Sequence, residues 1–69
     1  MPVAVVVSLT VDARSVRRGD EVMVGGVPWR VRDIVGAPAG CKWLEFESGE
    51  RMLMRPYTAF YASRWRCSR

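Results

Sequence analysis

The sequence predicts an all-β domain of five or six short strands. Three observations carry that expectation. Residues 18–31 spell out a tight hairpin around Gly25-Gly26, apolar and polar residues alternate with period two, and no stretch has the 3.6-residue period of an amphipathic helix. At 69 residues the chain is one domain, without an internal repeat or a linker. A fold of that size buries only about 60% of its unfolded surface, so its core is small.

Val3, Val5, Val7 and Leu9 share one parity and Ala4, Val6 and Ser8 the other, a strand apolar on both sides that calls for a central place or a covering partner. No basic residue precedes Pro2–Leu9, and the run is too short to span a bilayer. It is therefore expected as a strand of a cytoplasmic protein rather than a signal peptide or membrane anchor. Residues 12–20 form a polar excursion pinned by Val16, with Gly19 supplying the bend that leads into the hairpin.

Gly25 and Gly26 both tolerate positive φ, as a two-residue type I′ turn requires. The turn pairs Val24 with Val27 and Val22 with Trp29 on one face. Pro28 then falls opposite Met23, where facing residues exchange no hydrogen bond and the missing N–H is harmless. Val27, Trp29 and Val31 are expected to face inward. Asp33 breaks this alternation and Ile34 restores an apolar side chain one position late, the mark of a β-bulge.

Residues 36–40 read as a loop, after which Leu44 and Phe46 face inward on a clean strand. A second hairpin closes at Glu47-Ser48-Gly49-Glu50, setting Met52 and Met54 opposite Phe46 and Leu44. Pro56-Tyr57-Thr58-Ala59 is expected as one 3₁₀ turn before a last short strand, where Phe60 and Ala62 complete the core. Residues 65–69 are left as a basic C-terminal tail beyond a domain of residues 1–64. Such an order of short strands, long excursion, bulge and turn describes a small SH3-like barrel.

The run Val16, Arg18-Gly19-Asp20-Glu21-Val22, Gly26, Trp29-Arg30-Val31, Ile34, with Leu44-Glu45-Phe46-Glu47-Ser48-Gly49-Glu50 and Pro56, resembles the small SH3-like barrel proteins of actinobacteria. More distantly it is similar to the KOW-type barrels of ribosomal and transcription proteins, which share a Gly-Asp-x-Val lead-in to a strand. Where those barrels place a glycine in the second half of the hairpin, this chain has Trp29 and Arg30. The likeness covers residues 14–64. It implies the barrel fold and, through KOW, RNA binding.

Eleven basic residues, ten of them Arg, face seven acidic ones, for a net charge of +4 without a histidine. Such an excess favours anionic partners, and Arg binds phosphate bidentately and stacks on rings. A GC-rich codon bias accounts for the same Arg content without any function. With no His and no Ser or Thr in a nucleophile setting, no catalytic role is expected, nor a small-molecule substrate or cofactor. Cys41 and Cys67 are too few and too distant for a zinc site, and are expected as free thiols unless Cys67 folds back beside Cys41.

Function then rests on the outward side chains. Strand parity turns out Arg30 and Arg32, then Trp43, then Arg51, Leu53 and Arg55, and finally Tyr61, with Arg64, Trp65 and Arg66 following at the chain end. Aromatics among guanidinium groups suit a nucleic-acid surface, DNA or RNA, on which bases stack while Arg holds phosphates. The alternative is a protein-interaction module, or a homodimer through the first strand or the Trp43 and Leu53 face. A plainer reading has these side chains covering one another as a second apolar cluster.

Overall fold

A computed structural model describes residues 3–68 of the chain. The expected all-β fold is what it shows. Its strands are β1 (Val3–Val11), β2 (Glu21–Val24), β3 (Val27–Gly36), β4 (Lys42–Phe46), β5 (Arg51–Met54) and β6 (Phe60–Ser68). All pair antiparallel in one open sheet of order β1-β6-β2-β3-β4-β5. Every strand contributes to a single core of Val11, Val22, Val31, Leu44, Phe46, Met54 and Ala62, joined by Ala13 and Val16 from the β1–β2 loop. One sheet can bury one face of all six strands only by curling that face inward. Among the described residues no helix is long and apolar enough to cross a membrane.

The first hairpin stands as its sequence requires. Val24 faces Val27, Met23 faces Pro28 and Val22 faces Trp29, while Gly25 and Gly26 take φ of 59° and 79°. Neither glycine has an atom within 4 Å of where a Cβ would sit, so their requirement is conformational rather than steric. Gly25→Val is accordingly expected to destabilise by about 2 kcal/mol, the cost of a left-handed L-residue. Gly36→Ala, at a site with equal room but no positive φ, should melt almost as wild type does. Equal thermal shifts for the two variants would contradict this account of the turn.

The bulge is also present: Val31 pairs with Phe46 but Asp33 with Glu45, so Arg32 is the extra residue of β3. The second hairpin is tighter than expected. Gly49 N–H donates to Phe46 O (2.9 Å), Phe46 N–H donates to Glu50 O (2.8 Å), and Gly49 has φ of 92°. This is a three-residue loop with a glycine bulge, and it moves the register by two. Met52 lies opposite Leu44 and Met54 opposite Lys42, rather than Phe46 and Leu44.

Three further expectations are corrected. The 3₁₀ turn is at Pro38–Gly40, before β4. At Pro56-Tyr57 the chain makes a β-turn closed by Thr58 N–H to Arg55 O (3.1 Å), with proline at the position its fixed φ favours. Val27 is exposed, because the hairpin tip runs past the core, while Val11 and Ala13 are fully buried and Phe60 only half so. Finally, residues 65–68 are no tail but the end of β6, paired without a break to β1 from Val11↔Phe60 through Val3↔Ser68. A Cys41–Cys67 bridge involves a side chain outside the described residues.

Candidate nucleic-acid interface

The loop between β1 and β2 is built by two aspartates. Asp12 follows β1 and its Oδ1 accepts the N–H groups of Arg14 (2.9 Å) and Ser15 (3.1 Å), while Ser15 Oγ accepts the N–H of Asp12 (3.0 Å). The carboxyl is held below its ordinary pKa, chiefly by the Arg14 N–H. This reciprocal turn points Ala13 and Val16 inward. The chain then turns again at residues 17–20, where Asp20 N–H donates to Arg17 O (3.1 Å) and Gly19 takes φ of 91°.

Asp20 is 1% exposed and ties three segments together. Its Oδ1 accepts Arg64 Nε (2.8 Å), and its Oδ2 accepts Arg64 Nη2 (2.9 Å) and the Arg17 N–H (2.9 Å). Its main chain bonds β3 through Val31 N–H to Asp20 O (2.9 Å). Burial alone would push this carboxyl up, but the Arg64 and Arg17 hydrogen bonds and charges outweigh it and hold the pKa below the ordinary value. Arg64 is raised in return, first by that same hydrogen bond. Its Nη2 also donates to Ser15 O (3.0 Å), locking the loop onto β6.

Above this lock lies a cleft of about 220 Å³ lined by Arg17, Arg18, Gly19, Asp20, Arg30, Arg64 and Trp65. Arg64 is neutralised by Asp20, and Arg30 stands 3.8 Å from Glu47 with both side chains half in water. Arg17 and Arg18 have no ion pair among the described residues. Trp65 leaves about half its surface exposed. The cleft is thus lined by two arginines without an ion pair among the described residues, a third loosely held, and the half-exposed Trp65.

The nine expected site residues do not all line this cleft. Arg30, Arg64 and Trp65 line the cleft, although Arg64 is spent on Asp20. A separate patch lies on β3–β5: Arg32 donates to Glu45 through Nε (3.1 Å) and Nη2, Arg51 approaches Glu45 (3.9 Å), and the Arg51 guanidinium sits 5.8 Å from the Trp43 ring centre. Trp43 faces Leu53 across β4 and β5. Two strands, about 14 Å of sheet, separate β6 from β4. Arg55 is exposed at the end of β5, Tyr61 projects opposite Thr10, and Arg66 is exposed opposite Val5.

Arg17, Arg18, Gly19 and Asp20 were not among the expected site residues. Their signal was present as two adjacent arginines on a glycine turn that ends in an aspartate. No known protein family, curated protein or solved structure matches this chain.

Proposed function

We propose that this chain is a cytoplasmic SH3-like module that binds single-stranded nucleic acid, DNA or RNA, in the cleft between the β1–β2 loop and β6. The observation that carries this reading is the meeting of Arg17 and Arg18, free of carboxylate partners among the described residues, with the half-exposed Trp65 indole. Guanidinium groups take phosphate oxygens while a ring takes an unpaired base, and neither needs a particular sequence. The Asp20–Arg64 lock holds the loop in place before a ligand arrives, which lowers the ordering cost of binding. Arg30 adds charge within the cleft, and Arg55 and Arg66 add an outlying positive field.

Titration of labelled oligonucleotides at several salt concentrations tests the reading. Arg17→Glu and Arg18→Glu should each weaken binding to all sequences alike and lower the salt slope by about one per lost phosphate contact. Trp65→Ala should cost about 1–3 kcal/mol on single strands and much less on duplexes. Failure of the wild-type protein to bind single strands at low salt would sink the proposal.

A second reading, a protein-docking module without nucleic-acid binding, is favoured by the Trp43–Leu53 pair, whose side chains are each about two-fifths exposed on β4 and β5. Binding that persists or strengthens at high salt, and that Trp43→Ala abolishes, would select this reading instead.

A further inference from the structure

The two edges of the sheet are built differently. β5 is four residues long, begins with Arg51 and is followed at once by Arg55-Pro56, so charge, shortness and proline all discourage another strand from pairing there. Within its own length β1 has none of these devices, and the proline and charge nearest to it, Pro2 and Asp12, stand only at its two ends. It is nine residues long, contains no charged residue and no proline, and runs without a bulge against β6. Among the described residues its other edge has no paired strand. Beyond Arg64, β6 has only β1 as a neighbour, so this half of the pair is a two-stranded ribbon with Val5 and Val6 about half exposed. A ribbon of two strands is marginal alone, whereas added strands stabilise it.

We propose that this edge is covered by β1 of a second copy of the chain, running antiparallel about a two-fold axis so that the two sheets become one. The sequence of β1 is complementary to itself in that arrangement. With the axis at Val7, Val5 meets Leu9 and Ala4 meets Thr10; with the axis at Val6, Val5 meets Val7 and Ala4 meets Ser8. In both registers aliphatic residues face aliphatic or small ones and no charge faces another. A strand without charge is what lets two copies of a +4 protein approach at this edge. If the cleft binds a strand, a consequence that rests on the function proposed above, the joined sheet carries two clefts with their β6 strands roughly 14 Å apart.

Sedimentation without nucleic acid, from micromolar to millimolar protein, tests the proposal. The wild-type chain should reach twice its 7.8 kDa mass and associate more tightly as salt screens the like-charged protomers, the opposite of the salt response of phosphate binding. Val6→Lys and Ser8→Lys, both at exposed outward positions, should keep a folded circular dichroism spectrum and raise the dissociation constant roughly tenfold. Hydrogen exchange should show the outward β1 amides protected in the dimer and open in these variants. A wild-type chain that stays monomeric throughout overturns the proposal. So does a dimer that both lysine variants leave unchanged. Because mass is read without ligand, neither outcome bears on whether the cleft binds nucleic acid.

Discussion

Phe46→Ala is expected to unfold the protein under conditions where the wild type is folded. Phe46 is buried on β4, opposite Val31, with its ring 5.4 Å from Trp29 at a 57° tilt. Cutting a buried aromatic back to a methyl group costs about 3–5 kcal/mol, transfer and cavity together. A chain this short has a total stability of roughly 3–10 kcal/mol, so the loss removes from about a third to all of it, and at the lower end of that range none remains. Trp43→Ala, three residues earlier on the outer face, should cost under about 1 kcal/mol because its ring already meets water. Urea titration of both variants separates the faces of β4. A cooperative Phe46→Ala transition near the wild-type midpoint would mean that the inward parity of this strand has been misassigned.

Asp20→Asn should be the most damaging change to a polar group, at about 3 kcal/mol. Breaking a buried ion pair costs about 3–5 kcal/mol because a charge is left uncompensated. The lower end applies, since Arg64 lies near the surface and regains some water when released. The sign of the pH dependence follows from the lowered carboxyl pKa. Asp20 binds its proton less readily folded than unfolded, so its contribution is complete above about pH 4 and is lost as pH falls through the folded value. The wild type should therefore lose stability steeply in acid and Asp20→Asn much less so. A residual slope will remain from Asp12, also held low. Parallel acid limbs for the two proteins, measured by urea titration at several pH values, would rule out Asp20 as the group responsible. Replacing both partners, Asp20→Ala with Arg64→Met, should cost less than Asp20→Asn alone, because no orphaned charge remains.

What could be read along the chain was whatever neighbouring residues settle among themselves. Gly25-Gly26 determines its own turn type, and the turn determines the register of β2 and β3. The late return of an apolar side chain at Ile34 records the bulge at Arg32 directly. The second hairpin shows how narrow that legibility is: placing the turn glycine at Gly49 of a three-residue loop, rather than inside a longer one, moves every pair of β4 and β5 by two residues. The candidate site was harder still. Outward parity was right for Trp43 and Arg51, but the approach of Arg51 to Glu45 and to the Trp43 ring depends on which strands lie side by side.

By itself the sequence determined an all-β chain, the first hairpin, the bulge and the inward faces of β3 and β4, since period-two patterning and turn chemistry act over a few residues. Tertiary structure alone decided the rest. Residues 65–68, with no apolar alternation of their own, become strand because β1, about sixty residues away, supplies the ladder. Asp20, a turn residue by its local sequence, becomes the buried anchor of the cleft because Arg64, forty-four residues on, arrives to neutralise it. The cleft exists only where these distant pairings meet. Their cost is loop-closure entropy and their return is burial and charge pairing, and neither is written in the few residues around any one position.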